Sequence, residues 1–371
     1  MFYRTWVHDA TTGRRLTRPR LLEALPDLGR VVPWMPLGEV PTAVEPCPAL
    51  GDWAPGLDLW VKHEDRISPV YGGNKVRRYE YLLADAQARG ARRVVTVGGL
   101  GSTQVMATAS FCQHLGLGCT AVLFDQPVTR FVQRALLVNV TRGAELVYGG
   151  GYLATALATV RARFRRPDSY LILPGAAEPL ATLGYLDAVL ELAAQVEAGA
   201  MPRPDVMVLP TGSAGTLAAL SLGCAWLAWP TEVVGVRITT PWACNRVTVG
   251  QLVRSTGRWV ARRDPRFPRD LHHKARWSLW GEALGPGYGF PTPETAEAMA
   301  AYARWTGHTG EVTYTAKMLA GLRGMARTGR WRGKTVLLWQ TLSSVEPAVA
   351  PDAAARLPPS LRWVLEAEPV A

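Results

Sequence analysis

The sequence predicts an α/β protein with two domains, each built on an open, twisted, parallel sheet. Short apolar runs alternate with helical stretches along most of the chain, which is typical of parallel sheets covered by helices. The chain has 371 residues, of which 48% are hydrophobic and 19% are charged. This length and composition favour two folded cores and exclude a disordered chain.

The first 200 residues contain five predicted strand–helix alternations behind a proline-rich, loop-rich segment, 1–57. Glycines at positions 90 and 116 end two of the helices, and Ser102 is the expected N-cap of one. The predicted elements are strand 57–61, helix 75–89, strand 93–97, helix 102–115, strand 119–124, helix 129–142, strand 145–148, helix 152–163, strand 170–173 and helix 180–198.

The second half continues the alternation after a linker, 199–204. We expect an irregular segment over 241–291 and a proline- and alanine-rich tail over 346–371. The linker divides the chain into a large domain, 1–75 with 200–371, and a small domain, 76–199. The predicted elements are strand 206–209, helix 215–228, strand 232–238, helices 293–306 and 314–326, and strand 335–340.

One lysine has an unusual position. Lys75 follows two glycines and an asparagine and opens a predicted helix, where the helix dipole disfavours a positive charge. The chain has 41 lysines and arginines, but only five are lysines. Lysine therefore marks positions where arginine will not serve, and only an amine can form an imine. Lys75 is predicted to bind an aldehyde cofactor; the alternative is an ordinary surface lysine.

A glycine-rich loop between strand 206–209 and the next helix is typical of a phosphate site. Small residues let backbone N–H groups approach the oxygens, and hydroxyls add donors. The loop lacks the lysine of a nucleoside-triphosphate-binding loop, and it does not match the dinucleotide-binding motif. The alternative interpretation is a glycine turn with a purely structural role. Its members are Thr211, Gly212, Ser213, Ala214, Gly215 and Thr216.

A second strand–loop–helix turn, 98–104, brings hydroxyls to a helix start and suits a carboxylate. Tyr288 and Tyr314 stand at loop or helix-start positions, where a tyrosine can stack on a ring or move a proton. Thr341 lies just past the last strand, at the edge where open α/β sheets bind ligands. For each of these residues, packing or capping is the alternative interpretation.

Composition argues against several other functions. The net charge of +11 comes from scattered arginines without a nucleic-acid motif, so an anionic small ligand is favoured over nucleic acid. Five cysteines form no CxxC pair, and no secretory signal is evident, which predicts a reducing, cytoplasmic location. The apolar run 206–229 is broken by Pro210 and a glycine, so no membrane span is expected. The histidines lack metal-ligand spacing.

Taken together, these motifs resemble pyridoxal-phosphate enzymes of the tryptophan-synthase-β-like fold, in the branch of 1-aminocyclopropane-1-carboxylate deaminase and D-cysteine desulfhydrase. The resemblance covers about residues 36 to 344. It rests on the segments 61–65, 72–78, 98–102, 211–216 and 287–289, together with Tyr314, Lys317 and Thr341. It implies pyridoxal phosphate in a cleft between two domains, a small amino-acid substrate and a homodimer.

The resemblance also implies roles for individual residues. Lys75 would carry the cofactor and move the α-proton, with Asn74 and the glycine-rich loop beside it. Thr341 would stand near a pyridine nitrogen that stays neutral, which favours elimination. The residues expected to bind or flank the substrate are Ser102, Thr103, Gln104, Tyr288 and Tyr314.

Three features of the sequence bear on the substrate, and two of them are departures from the family pattern. Thr103 replaces an asparagine, and Leu342 and Ser343 replace two glycines, while Thr315 matches the desulfhydrases rather than the deaminases. We therefore predict an elimination that yields a 2-oxo acid and ammonia. The alternatives are a β-replacement synthase or tailoring enzyme on another amino acid, and a catalytically inactive ligand-binding homologue.

Overall fold

The structure is a computed structural model that describes residues 7–8, 15–16, 18–308 and 310–370. The strands of this part of the chain form three sheets. In chain order they are β1 (Val7–His8), β2 (Arg15–Leu16), β3 (Val44–Pro46), β4 (Asp58–His63), β5 (Arg93–Gly99), β6 (Gly118–Phe124), β7 (Ala144–Gly150), β8 (Ser169–Ile172), β9 (Val206–Thr211), β10 (Glu232–Arg237), β11 (Trp277–Trp280) and β12 (Thr335–Gln340).

Helices follow most of these strands, and a π-helical turn, Val312–Ala316, leads into one of them. The α-helices are α1 (Arg20–Ala24), α2 (Pro26–Val31), α3 (Val76–Ala88), α4 (Thr103–Leu115), α5 (Arg130–Thr141), α6 (Tyr152–Arg165), α7 (Pro179–Glu197), α8 (Gly215–Trp226), α9 (Arg246–Ala261), α10 (Leu271–Lys274), α11 (Pro293–Thr306), α12 (Lys317–Arg327) and α13 (Trp363–Glu366).

The predicted fold class is confirmed. The large sheet has the strand order β11-β10-β9-β12-β4-β3, and the small sheet has the order β7-β6-β5-β8. Every pair in both sheets is parallel except β3 with β4, so the large sheet has one antiparallel edge that the sequence did not predict. A separate antiparallel pair, β1 with β2, lies near the N-terminus.

Helices cover both faces of both sheets. In the large sheet, α7, α8 and α9 pack on one face and α11 and α12 on the other. In the small sheet, α3, α4 and α5 share one core, and α6 packs on the opposite face. The division into 1–75 with 200–371 and 76–199 stays a prediction.

The expectation of an irregular segment over 241–291 is wrong. Helix α9 occupies its first part and buries Val249, Val253 and Val260, which recur at helical spacing. Asn245 caps it and forms a reciprocal capping box with Thr248. Strand β11 then adds the edge of the large sheet. The many tryptophans and arginines concealed both the helical period and the short strand.

The expectation of a loose tail over 346–371 is also wrong for its described residues. Four apolar side chains spaced three or four residues apart are buried against the core of the small sheet. The amide of Gln133 on α5 donates hydrogen bonds to the carbonyls of Val364 and Ala367. The buried side chains are Ala353, Leu357, Leu361 and Val364.

Candidate active site

Lys75 is a buried lysine at the start of α3. Its side chain is 6% exposed, and Nζ donates a hydrogen bond of 2.8 Å to Asn74 Oδ1. Burial, reinforced by the nearby guanidinium of Arg78, holds the pKa of Lys75 well below its ordinary value. A neutral amine is nucleophilic, so the geometry supports the predicted chemistry of this residue.

The glycines before Lys75 let the chain approach the end of β12 closely. Gly73 has a φ of 86°, and a Cβ there would lie 2.5 Å from the carbonyl oxygen of Thr341. The Asn74 N–H donates to that same oxygen over 3.1 Å. The sequence Gly-Gly-Asn therefore fixes Lys75 at the carboxyl edge of the large sheet.

A buried ionic network around Arg77 anchors the first turn of α3. Arg77 donates to Glu64 at 2.7 Å and to Glu191 at 2.9 Å, and Lys62 lies 2.5 Å from Glu191. Burial alone would raise the pKa of the Glu191 carboxyl, but Arg77 and Lys62 hold that pKa at about 2. These charges are paired with one another, so they fix the position of the helix that begins after Lys75.

The glycine-rich loop forms a small pocket of about 50 Å³ between Lys75 and α8. Ala214 precedes the helix with a φ of 64°, a left-handed conformation that is uncommon for a residue with a side chain. Helix α8 begins directly after this residue, and the first N–H groups of a helix have no partner within it, which suits an anion. The pocket also faces the N-terminal end of the α8 dipole.

Arg78 adds a charge to this pocket. Its Nη2 donates to Thr216 Oγ1 at 2.7 Å, and Nη1 donates to the carbonyl oxygens of Gly175 and Ala176. Its Nε is buried and has no hydrogen-bond partner among the described residues. An orphaned guanidinium donor and the free N–H groups at the start of α8 fit a phosphate group.

A second cavity of about 700 Å³ opens on the other side of Lys75. It runs between the two sheets, and its wall includes the buried Ser102 at the start of α4. Ser102 is the N-cap residue as predicted, but its side chain makes no capping bond in the described part of the chain. Gln104 donates to Thr96 and to the Leu173 carbonyl, while its Oε1 has no described partner.

The two tyrosines meet at this cavity. The hydroxyl groups of Tyr288 and Tyr314 lie 3.1 Å apart, and burial raises the pKa of both phenols. The carboxylate of Glu311 accepts the Tyr314 N–H at 2.6 Å and those of its two neighbours at 2.7 Å. Lys317 Nζ donates to the Gly287 carbonyl at 2.5 Å. Both charged residues therefore fix the tyrosines.

The structure brings most of the predicted site residues together. Lys75 lies on the walls of both cavities, as do Gly212, Ser213 and Tyr314. Thr103 is not among the residues on the walls of these two cavities, but it lowers the pKa of the Tyr314 phenol against the larger effect of burial. Thr341 borders the segment before Lys75 through its backbone. The roles assigned to the individual residues stay predictions.

Sequence reasoning assigned no role in the site to three charged residues and an aromatic group. Arg78 stands one helical turn after Lys75, a spacing that places both on one face and is visible in the sequence. Glu311 and Lys317 act through backbone groups, which no residue pattern reveals. The aromatic group, Phe124, Tyr152 and Trp242, comes from three separate segments of the chain, so its members meet only in the folded protein.

The fold and site define an enzyme class in which a lysine between two α/β sheets faces a phosphate pocket. A family model described as "Pyridoxal-phosphate dependent enzyme" matches residues 35–341. The chain therefore belongs to the pyridoxal-phosphate-dependent enzymes of the tryptophan-synthase-β-like fold. The orphaned Arg78 donor and the loop 211–216 fit the phosphate of that cofactor, and Lys75 fits its aldehyde.

Solved structures agree with this assignment. A structure described as an ACC deaminase homologue is 27% identical, with a TM-score of 0.71, and the match covers 87% of this chain and 94% of that one. Threonine deaminase isoform 2 from Solanum lycopersicum is 14% identical, with a TM-score of 0.59 and coverage of 93% and 92%. An L-serine ammonia-lyase from Rhizomucor miehei is 18% identical, with a TM-score of 0.57 and coverage of 83% and 95%. The last two are similar in fold alone.

Within the described ranges, no helix is both long and apolar enough to cross a bilayer. No three His, Cys, Asp or Glu side chains of the described residues gather as a metal site. All five cysteines are buried as free thiols.

Proposed function

We propose that this enzyme catalyses β-elimination from an amino acid of the cysteine type, in the manner of D-cysteine desulfhydrase. The position of Lys75 carries the proposal, because its amine lies where a phosphate-sized pocket and a substrate-sized cavity meet. The similarity to an ACC deaminase homologue at 27% identity supports a lyase or deaminase reaction. The proposal adds the substrate class, an amino acid of the cysteine type, to this reaction type.

Lys75 would perform two tasks. Its amine, kept neutral by burial and by Arg78, binds the cofactor aldehyde, and the loop 211–216 with Arg78 holds the phosphate. When bound, the cofactor withdraws electrons from the substrate Cα and so acidifies its proton. Lys75, whose side chain lies on the wall of the substrate-sized cavity, would be the base that takes the proton from the substrate Cα.

The opposite wall would orient the substrate. The loop before α4 offers the Ser102 hydroxyl and backbone N–H groups at a helix N-terminus, which suit the substrate carboxylate. Tyr288 and Tyr314 keep their protons at neutral pH because burial raises the pKa of each. The pair can therefore donate a proton or a hydrogen bond to the leaving group.

The reaction balances without an oxidant. The Cα–H bond and the bond from Cβ to the leaving group break, and a Cα–Cβ double bond forms. The released enamine takes up water and yields a 2-oxo acid and ammonia, while the leaving group departs as a thiol. A neutral hydroxyl at Thr341 would leave the ring nitrogen uncharged, which favours expulsion of the leaving group over transamination.

The proposal is tested by assaying the enzyme loaded with cofactor for 2-oxo acid. The panel contains D- and L-cysteine, their S-methyl and S-benzyl ethers, and 1-aminocyclopropane-1-carboxylate. We expect pyruvate and a thiol or sulfide from the cysteine derivatives, and no 2-oxobutanoate from the cyclopropane. Absence of 2-oxo acid with every cysteine derivative overturns the elimination.

The aromatic residues Phe124, Tyr152 and Trp242 on the cavity wall favour one alternative, a tailoring or β-replacement enzyme on a larger amino acid. We also propose a homodimer, supported by a stripe of exposed apolar residues on the outer side of α6. The stripe consists of Leu153, Leu157 and Phe164, which are 85%, 60% and 79% exposed. Cytoplasmic location stays a prediction.

A further inference from the structure

The large cavity extends far beyond the residues that the elimination uses. Its wall follows α6 from Tyr152 to Val160, eight residues along the helix. At about 1.5 Å per residue this wall is about 12 Å long. Ile238 and Trp242, which follow β10, lie on the opposite side. The cofactor ring and an amino acid of the size of cysteine would both be placed at the end near Lys75, which leaves the far end along α6 unused.

Aromatic rings form the far part of this cavity. The ring of Tyr152 lies 5.3 Å from that of Phe124 and 6.0 Å, nearly edge to face, from that of Trp242. The chain of rings thus crosses from the small sheet to the large one. Tyr152 is 58% and Trp242 is 69% exposed, although large aromatic side chains gain most from burial.

Polar groups are distributed unevenly along the cavity. Lys75, Ser102 and the tyrosine pair occupy one end. The far end has two buried hydroxyls on α6, and both are satisfied locally. Thr159 donates to the carbonyl oxygen of Thr155 at 2.7 Å, and Thr155 donates to that of Gly150 at 3.4 Å. This end therefore offers mainly apolar surface, with the hydroxyls of Thr239 and Tyr152 as the further side-chain hydroxyls on its wall.

We infer that the substrate carries a large apolar group, preferably aromatic, on its β-substituent. This inference rests on the proposed function, since the amino and carboxylate groups must bind at Lys75 and Ser102. The apolar group then lies along α6 and covers Tyr152, Val160 and Trp242. A thioether of cysteine with an aryl or arylalkyl group has this chemistry, and it leaves as the corresponding thiol.

The test compares S-benzyl- with S-methylcysteine as substrates of the cofactor-loaded enzyme, using both enantiomers. We expect kcat/KM to be at least about tenfold higher for the benzyl ether, as differences in apolar pocket contacts commonly give. Trp242→Ala should lower kcat/KM for the benzyl ether by about tenfold and change that for the methyl ether less than about twofold. Trp242→Phe should keep most of the preference.

Trp363→Ala is the matched control. Trp363 is also a partly exposed tryptophan, but it packs on Tyr148 with ring centroids 6.2 Å apart, outside the cavity wall. The preference for the benzyl ether should be unchanged in this variant. Thermal unfolding of each variant separates a local effect from loss of the fold.

A binding measurement tests the apolar subsite without relying on catalytic turnover. Phenylalanine should change the absorbance of the bound cofactor with a Kd at least about tenfold below that of alanine, and Trp242→Ala should remove the difference. Preference for the methyl ether, or equal losses for both ethers in Trp242→Ala, overturns the apolar subsite and leaves the elimination standing. If no ether yields 2-oxo acid but phenylalanine binds more tightly, the subsite stands and the elimination fails.

Discussion

Replacing Arg78 with methionine tests how the phosphate pocket works. Methionine keeps an unbranched side chain but removes the charge and the donors to Thr216, Gly175 and Ala176. A hydrogen bond to a charged group contributes about 1.5–3 kcal/mol, and about 1.4 kcal/mol corresponds to a tenfold change. We therefore expect the Kd for pyridoxal phosphate to rise about 10- to 150-fold.

The assay titrates cofactor-free protein with pyridoxal phosphate and with pyridoxal, which lacks the phosphate. Arg78 also lowers the pKa of Lys75, so its removal makes Lys75 easier to protonate and weakens both ligands near neutral pH. The ratio of the two dissociation constants cancels this shared effect. The ratio should change about 10- to 150-fold in Arg78→Met and much less in Arg78→Lys, which keeps the charge.

Two results would refute this reasoning. If Arg78→Met weakens pyridoxal as much as pyridoxal phosphate, the guanidinium does not contact the phosphate. The Arg78 guanidinium would then have only a structural role, since its hydrogen bonds to the carbonyl oxygens of Gly175 and Ala176 hold the segment 174–177 near α8. If neither dissociation constant changes, the loop 211–216 binds the phosphate without help from a side-chain cation.

Two further predictions concern stability and assembly. Burial raises the pKa of Glu80 to about 7, so its contribution to the free energy of unfolding is complete below about pH 4.5 and is lost as the pH rises through 7. Between pH 4.5 and 8, the free energy of unfolding measured in urea should fall by up to about 3 kcal/mol more in wild type than in Glu80→Gln. If the free energies of unfolding of the two proteins change in parallel with pH, the raised pKa of Glu80 is contradicted. Leu157→Asp should convert the proposed dimer to a monomer, as measured by analytical sedimentation. Val247→Asp is the control, because Val247 lies on α9 and is 66% exposed, and this variant should stay dimeric. A monomeric wild type refutes the dimer.

The sequence predicts the fold and the centre of the site because both depend on local patterns. Apolar runs and glycine stops define most strands and helices. Lys75 stands directly after predicted loop residues, and the loop 211–216 follows a predicted strand. The parallel order of strands then brings their carboxyl ends to one edge. These features require no knowledge of which distant segments pack together.

What the sequence did not predict depends on tertiary contacts. Helix α9 and the segment around Leu357 have apolar residues at helical spacing, but tryptophan, arginine, proline and alanine dilute the pattern. The meeting of Tyr152 and Trp242 joins residues 90 positions apart, so only the relative placement of the two sheets reveals it. The substrate inference therefore depends on the structure in a way that the cofactor assignment does not.

The most direct test of the central claim locates the cofactor on the chain. Borohydride reduction of the cofactor-loaded protein makes the link to its lysine permanent, and peptide mass spectrometry identifies the modified residue. With only five lysines in the chain, the assignment is unambiguous. We predict the added mass on Lys75 and its loss in Lys75→Ala. Modification of Lys62 or Lys317 instead, or a cofactor absorbance band that persists in Lys75→Ala, would contradict the account.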